Sequence, residues 1–400
     1  MQSLILTKGL EKKKYVRFNT NNYANNINNN INNNINKTNN KDYVYKSKNN
    51  FNMNNKLNVL KFINSKKPTI NSKKPTINSK KPTINSKKPI KNNIFSKEHI
   101  QNIFDKLKKN VKIIYNVFQP IYKNGVKTSG FGDFIRGCYF LMEFCEKKCF
   151  SCEFKINYRK ITYFLKNYEN SDNLPESISK EIIKFNNTNH FPLIDSFNTI
   201  NNNGDKNIYD KFICFINGCS IFDNSIYINT HTYPNNEISL DKKEKMKIIL
   251  EPTNLLMENI ENALSNLLFN KYCYETIHIR FGDEYIIDES TKINNSKLKQ
   301  AFNCLNNLDK TKNFLLLSDS NNLKKMIISK YPFVKTIFNE IVHTKNEDVD
   351  IENLKNTMLD FYLMSYSTNI TAFSVYKHGS GFSEWCAKTY DIPYVCKYLN

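Results

Sequence analysis

The sequence lacks a long hydrophobic run. No stretch of about 20 mostly apolar residues is free of Lys, Asn or Asp, which excludes a transmembrane helix. The apolar residues 4–6 are too short a patch for the core of a secretory signal, which takes roughly 7 to 15 residues. We therefore expect a soluble, cytoplasmic protein without a membrane partner.

Cysteine is too sparse for a scaffold held together by disulfides. The chain has 10 cysteines, and without an export signal we expect them to remain thiols. A zinc site is an alternative for four of them, but no second pair of Cys or His follows at a spacing typical of zinc ligands. We favour buried positions, in which Cys acts as a small apolar residue. The four are Cys138, Cys145, Cys149 and Cys152.

Acidic residues are almost absent from the N-terminal quarter of the chain. The formal net charge is +21, but residues 1–95 contain 20 of the 58 basic residues and only 2 of the 37 acidic ones. The remaining 38 basic and 35 acidic residues nearly cancel. A nucleic-acid groove needs clustered positive charge on the folded domain, so nucleic acid is at most a partner of this tail.

The tail contains a sequence repeat. Four copies of a heptad reading INSKKPT occupy residues 63–90, the last copy ending in Ile. Seven-residue spacing is typical of a coiled coil, but Pro68, Pro75, Pro82 and Pro89 each oppose a helix at a cost of about 3 kcal/mol. So few apolar residues bury too little surface to offset the entropy of ordering. Residues 1–95 are therefore predicted to be disordered.

Arginine and glycine are scarce, so their positions are informative. The chain has four Arg against 54 Lys, and 7 of its 10 Gly lie at residues 125–137, 282 and 379–381. Arg136 lies in the first of these clusters, and Arg280 lies just before the second. Glycine allows close backbone approach, and Arg offers a planar fork that matches phosphate oxygens. We expect three loops with specific chemistry.

The first glycine cluster follows a strand-like run. Residues 111–117 favour a strand, residues 129–137 read SGFGDFIRG, and helical spacing over 138–149 leads to a second strand at 152–158. This is a βαβ unit, in which the helix N-terminus directs free amides at a ligand above the sheet. The GxG alone is a weak signal, and the alternative is a glycine turn that only allows packing. Strands at 212–216 and 226–229 are predicted to complete this half.

The second glycine cluster ends another strand. A strand at residues 274–279 leads into His278 and Arg280, which alternation puts on the same side of the strand. Ligands bind at this carboxyl end in open α/β sheets. The structural alternative is that Arg280 only pairs with Asp283.

The rest of the C-terminal part alternates between strands and helices. The run SDS at residues 318–320 supplies N-cap residues for a helix. Asp360 lies close to the buried stripe of a helix, and residues 378–383, HGSGFS, form a helix start suited to phosphate. The alternation predicts a parallel sheet with its loops at one end. The predicted helices are 296–305, 323–329, 353–365 and one from 384, and the strands are 314–317, 370–375 and 393–398.

These motifs resemble those of GDP-fucose-dependent fucosyltransferases. In chain order, HIRFGD at 278–283, SDS at 318–320, DFYLMS at 360–365 and GSGFSEW at 379–385 are similar to motifs of that family. The α-1,2 type is the most similar, followed by the α-1,6 and protein O-fucosyltransferases. GFGDFIRG at 130–137 resembles the glycine-rich loop of the family, and the resemblance covers about residues 111–400.

The resemblance implies a fold and an activity. The fold is α/β of the GT-B type, with an acceptor-side Rossmann-like domain at 96–250 facing a donor domain at 251–400 across a cleft. The activity is inverting transfer of fucose, or a related sugar, from a GDP-sugar to a glycan hydroxyl, without a metal or a separate cofactor. The alternative is a catalytically inactive protein of this fold that binds the nucleotide-sugar or a carbohydrate.

The resemblance also implies roles for individual residues. Arg280 would hold the β-phosphate and stabilise the leaving GDP. His278 would lie against the nucleoside, and Asp360 would accept hydrogen bonds from the guanine or the ribose. The family often has Arg at the position of Phe281 and Ser at that of Gly381, so the chain departs from it there. The other implied donor-site residues are Ser380 and Ser383 at the phosphates, Asp319, and Gly130, Gly132 and Arg136 in the glycine loop.

An inverting transfer also needs a carboxylate that takes the proton of the acceptor hydroxyl. Asp283, Glu284, Asp288 and Glu289 cluster directly after the Arg motif. Asp288 and Asp283 are the candidates for this base. The alternative for all four is a solvated loop charge.

Overall fold

A computed structural model describes seven stretches of the chain. They are residues 96–123, 125–169, 171–185, 208–282, 284–287, 294–344 and 349–399. The tail at 1–95, for which the sequence predicts disorder, lies outside the described residues, as do the candidate bases Asp283 and Asp288.

The first half of the described chain forms a mostly parallel sheet with helices packed on it. The strands are β1 (Ile113–Phe118), β2 (Ser151–Ile156), β3 (Ile183–Phe185), β4 (Ile221–Phe222) and β5 (Ser225–Thr230), and the helices are α1 (Lys97–Asn110), α2 (Phe131–Lys148), α3 (Arg159–Thr162), α4 (Glu176–Ser179), α5 (Ile208–Asn217) and α6 (Leu240–Ile249). The strand order is β2-β1-β5-β3, with β4 antiparallel beside β5.

The second half forms a fully parallel sheet in the order β10-β9-β6-β7-β8. Its strands are β6 (Glu275–Arg280), β7 (Phe314–Ser318), β8 (Val334–Thr336), β9 (Ile370–Ser374) and β10 (Tyr394–Tyr398), and its helices are α7 (Asn254–Leu267), α8 (Glu284–Ile287), α9 (Asn295–Leu305), α10 (Asn321–Lys330), α11 (Ile351–Ser365) and α12 (Gly381–Tyr390). Every strand and helix predicted for this half is present. Ser320 is the N-cap of α10, where its hydroxyl accepts from the Leu323 amide at 3.2 Å.

The glycine-rich stretch at 129–137 is mostly helix, although the sequence predicts a loop. Gly130 is the N-cap of α2, and the helix begins at Phe131. A Cβ added to Gly137 would stand 1.6 Å from the Thr230 carbonyl oxygen. Glycine is therefore needed here because α2 lies directly against the end of β5, rather than because the backbone turns.

The prediction of a strand at 212–216 is wrong, because these residues lie in α5. The buried side chains of this segment are Ile208, Phe212, Ile213 and Ile216, at positions i, i+4, i+5 and i+8, which lie on one helix face. A short run rich in Phe and Ile is ambiguous between strand and helix when its neighbours are ignored. The strand predicted at 226–229 is confirmed as β5.

One hydrophobic core runs through both halves. The rings of Phe131 on α2 and Phe361 on α11 meet edge to face at 5.5 Å. Trp385 on α12 is fully buried, 5.8 Å from the ring of Tyr139 on α2, and the Tyr139 hydroxyl donates to Thr389 Oγ1 at 3.1 Å. The C-terminal helix α12 thus packs on the first half. The prediction of an α/β fold with two Rossmann-like halves is confirmed.

The domain boundary at residue 250 stays a prediction. All strands of the first sheet precede it and all strands of the second sheet follow it. Among the described residues, no helix has the length and apolar character to cross a membrane.

All ten cysteines are free thiols. Cys138 and Cys145 are buried, whereas Cys149 is exposed at the left-handed C-cap of α2. No group of three or more His, Cys, Asp or Glu side chains in the described part of the chain is arranged to hold a metal ion.

Candidate functional site

A cavity of about 320 Å³ lies where loops of the two halves meet. The first half contributes residues 130–133, at the start of α2. The second half contributes the end of β6, with His278 and Arg280, and the helix start at 378–382. Residues 341–344 and Asp360 on α11 complete the wall. This volume is at the lower end for small-molecule sites, which take about 300 to 1,000 Å³.

The N-termini of two helices converge on this cavity. Gly130 caps α2 and Ser380 caps α12, and neither cap residue makes a side-chain hydrogen bond to its helix. A Cβ added to Gly132 would stand 2.2 Å from the Gly381 carbonyl oxygen, so the two helix starts touch. One amide of α2, that of Phe131, donates to Thr344 Oγ1 at 3.1 Å. Paired helix N-termini concentrate partial positive charge, which favours an anion between them.

Arg280 lies at the cavity wall and is held by Asp319. The guanidinium Nη1 is 3.0 Å from Asp319 Oδ2, and the same carboxylate accepts from the amides of Phe281 at 2.9 Å and Gly282 at 2.8 Å. The Asp319 side chain is 1% exposed, whereas that of Arg280 is 15% exposed. Burial raises the pKa of Asp319, and Arg280 opposes that rise.

Asp319 is therefore a positioning residue. The sequence predicts it as a donor-site residue, but it lies behind the cavity wall, where it orients Arg280 and the loop that follows β6. The alternative partner of Arg280, Asp283, lies outside the described residues. Arg280 lines the cavity while paired with Asp319, and its side chain stays 15% exposed.

His278 lines the cavity beside Arg280 as a neutral imidazole. Burial, reinforced by the charges of Arg280 and Lys324, lowers the pKa of His278 to about 3. The ring is 7% exposed, and its Nδ1 has no hydrogen-bond partner among the described residues. An unpartnered buried nitrogen is costly unless a ligand or water satisfies it.

Asp360 is a second unsatisfied polar group in the wall. Its residue is 5% exposed, and within the described part of the chain no hydrogen bond reaches its carboxylate. Burial raises the pKa of Asp360 to about 6, and the charge of Lys324 opposes that rise. Lys324 is itself buried and donates to the Ile337 carbonyl at 3.0 Å.

Of the two serines predicted to bind phosphate, only one lines the cavity. Ser380 lines the cavity as the N-cap of α12. Ser383 lies one turn into the helix, fully buried, with its hydroxyl donating to the Ser380 carbonyl at 3.4 Å. Ser383 therefore supports the helix start from behind the wall.

The residues predicted from the first glycine cluster also divide into those that line the cavity and one that lies behind it. Gly130 and Gly132 line the cavity, whereas Arg136 lies behind it. The Arg136 guanidinium is 3.0 Å from Asp133 Oδ1 and 4.1 Å from the centre of the Tyr233 ring, and Nε donates to the His231 carbonyl at 2.5 Å.

Among the wall residues that sequence reasoning missed are three with titratable side chains: Asp133, His343 and His378. Asp133 and His378 lie inside the glycine-rich motifs at 129–137 and 378–383. The sequence therefore indicated these segments, but it gave no reason to assign a function to either side chain. His343 had no signal, because residues 341–344 reach the cavity only through packing. Thr357 on α11 fixes that segment, donating to the Val342 carbonyl at 3.0 Å and accepting from the Val342 amide at 3.0 Å.

Comparison with known proteins gives structural similarity alone. No protein-family model and no curated protein sequence matches the chain. The structure of NodZ α-1,6-fucosyltransferase soaked with GDP-fucose aligns at a TM-score of 0.40 and 13% identity, covering 70% of this chain and 92% of that one. NodZ is from Bradyrhizobium.

Two further solved structures align in a similar way. A variant of Arabidopsis thaliana FUT1 in complex with GDP has a TM-score of 0.43 and 14% identity, covering 76% of each chain. POFUT1 in complex with GDP has a TM-score of 0.37 and 9% identity, covering 73% of this chain and 98% of that one. The similarity is one of fold.

Proposed function

We propose that this chain is a glycosyltransferase that takes fucose, or a closely related sugar, from a GDP-sugar and transfers it to a glycan hydroxyl with inversion. The observation that carries the proposal is the convergence of two helix N-termini and Arg280 on one cavity. A cytoplasmic location, and catalysis without a metal or a separate cofactor, are part of the same proposal.

The diphosphate is assigned to the region between Arg280 and Ser380. The backbone amides in the first turn of α12 and the guanidinium of Arg280, which Asp319 orients, can donate hydrogen bonds to phosphate oxygens. Charge that develops on the leaving GDP is stabilised by the same groups, because they are already oriented before the bond breaks.

The nucleoside is assigned to the wall formed by Asp360 and His278. An ionised carboxylate only accepts hydrogen bonds, and guanine N–H groups and ribose hydroxyls are the donors of a GDP-sugar that suit it. Asp360 and His278 Nδ1 have no partner among the described residues, so binding would satisfy two groups whose burial is otherwise costly. The proton of the acceptor hydroxyl goes to a carboxylate, for which Asp288 and Asp283 stay the predicted candidates.

A matched pair of arginine variants tests the phosphate assignment. We expect Arg280→Lys to weaken GDP binding, measured by calorimetry, about 10- to 100-fold, because Lys keeps the charge but loses the planar fork. Arg159→Lys is the control, since Arg159 is exposed and outside the cavity wall, and it should leave the dissociation constant unchanged. Equal affinities for the two variants would contradict the assignment.

A catalytically inactive nucleotide-sugar-binding protein is the second candidate. It is favoured by Phe281, which is buried against Tyr285 where the resembled family often has a further Arg. Incubation with GDP-fucose on a glycan array separates the two functions. Transfer or release of GDP supports the enzyme, whereas tight GDP binding with neither supports the inactive protein.

A further inference from the structure

The carboxylate of Asp133 faces the cavity from the first half of the molecule. It lies in the first turn of α2, opposite the strand end that carries Arg280, and its side chain is 32% exposed. Arg136 holds one oxygen, Oδ1, at 3.0 Å, and the other, Oδ2, would stand 3.9 Å from a Cβ added to Gly130. A Cβ on Gly381 would stand 3.1 Å from Oδ1, so the carboxylate lies directly beside the start of α12.

This carboxylate is ionised at neutral pH. Burial alone would raise the pKa of Asp133, but the surrounding positive and polar groups lower it below its usual value. They face it from four elements: Arg136 on α2, His231 after β5, His378 after β9 and Lys184 on β3. Arg136 is fixed in turn by Tyr233 and the His231 carbonyl, so the carboxylate is oriented as well as charged.

An ionised carboxylate in an anion-binding cavity limits what can lie against it. Phosphate oxygens and carboxylate oxygens both only accept hydrogen bonds, and their like charges repel. The diphosphate is therefore expected against Arg280 rather than against Asp133. The part of the ligand beside Asp133 must supply hydrogen-bond donors.

Only two parts of a nucleotide-sugar supply such donors: the nucleoside and the sugar. The nucleoside end is already assigned to Asp360 and His278, two polar groups that are more than nine-tenths buried and lack partners among the described residues. Asp133 lies on the first half of the molecule, beside the start of α12. Within the nucleotide-sugar, the donors that remain for Asp133 are the hydroxyls of the transferred sugar; the acceptor hydroxyl is the other group that could donate to it.

We propose that Asp133 accepts hydrogen bonds from hydroxyl groups of the donor sugar, and that it thereby selects the sugar that the protein takes. The inference rests on the proposed function, because it presumes a sugar attached to the diphosphate. Arg136 acts as the residue that positions Asp133.

The test compares GDP and GDP-fucose binding to the full chain by calorimetry. In Asp133→Asn, we expect the affinity for GDP-fucose to fall about 10-fold or more, because a hydroxyl loses its bond to a charged acceptor. The affinity for GDP should stay the same or rise, because a negative charge beside the diphosphate is removed. Glu146→Gln, a carboxylate-to-amide change at the exposed end of α2, is the control and should alter neither affinity.

The outcomes separate this inference from the proposed function. A selective loss for GDP-fucose supports the sugar contact. Parallel losses for GDP and GDP-fucose overturn it, because they assign Asp133 to supporting α2. Unchanged affinity for both ligands with slower hydrolysis of GDP-fucose also overturns it, since Asp133 would then act in the chemical step. A wild-type chain that binds neither ligand overturns the proposed function as well.

Discussion

At the scale of single residues, the cavity is built from polar groups that the free protein leaves unsatisfied. His278 Nδ1 and the Asp360 carboxylate are buried without hydrogen-bond partners among the described residues. Their burial costs folding free energy, so they are expected where function requires them. Arg280 differs, because Asp319 compensates its charge before any ligand arrives.

Asp360 lowers the stability of the free protein above about pH 6. Its pKa is about 6 when folded and about 3.9 when unfolded, so the folded state holds a proton that the unfolded state has released between these values. The free energy of unfolding therefore falls as pH rises through this window, by about 2 to 3 kcal/mol.

Asp360→Asn removes this titration. We expect the variant to be more stable than the wild type in urea unfolding at pH 8, with the difference shrinking at pH 4.5, and to bind GDP about 10-fold more weakly. Asp105→Asn, at an exposed position on α1, is the control. A stability difference that is the same at both pH values would contradict the pKa of Asp360.

At the scale of elements, the contact between the starts of α2 and α12 shapes the site. Gly132 and Gly381 allow the two helix starts to touch, and residues of both helix starts line the cavity. The periodicity of apolar residues predicts α2 itself, but the role of its first turn depends on α12, which follows more than 200 residues later. The wrong prediction of a strand at 212–216 has a similar cause. The apolar run there indicates a buried element, but it does not distinguish a helix from a strand.

Gly132→Ala tests the helix contact. The added methyl group would stand 2.2 Å from the Gly381 carbonyl oxygen, so we expect the helix starts to separate, stability to fall by about 1 to 3 kcal/mol and GDP affinity to fall with it. In Gly218→Ala the methyl group would stand 3.4 Å from the Phe215 carbonyl oxygen, so a much smaller effect is expected. Chemical denaturation and GDP titration of both variants measure the difference, and equal behaviour would contradict the proposed contact.

At the scale of the whole molecule, all residues assigned to the donor site lie between positions 130 and 383. The charge of the chain is distributed differently, because residues 1–95 carry 20 basic and 2 acidic residues. Binding of the GDP-sugar and any binding of nucleic acid are therefore expected to depend on separate parts of the sequence.

Deletion of residues 1–95 tests this separation. We expect the shortened chain to bind GDP within about twofold of the full chain, because the wall of the cavity is intact. Any salt-sensitive binding of nucleic acid by the full chain should be lost with the basic tail. Nucleic-acid binding that survives the deletion would place a positive surface on the folded part, contrary to its near-neutral charge.

The sequence by itself determined the features that depend on neighbouring residues. Strand ends, the helix cap at Ser320 and the alternation that places His278 beside Arg280 follow from local backbone geometry. The tertiary structure decided which of the rare residues face the cavity. Arg280 pairs with Asp319, 39 positions away. The backbone amide of Phe131 donates a hydrogen bond to the hydroxyl of Thr344, 213 positions away. The first pair meets because β6 and β7 are neighbouring strands of one sheet, and the second meets where the two halves pack together. No local pattern of residue types encodes either arrangement.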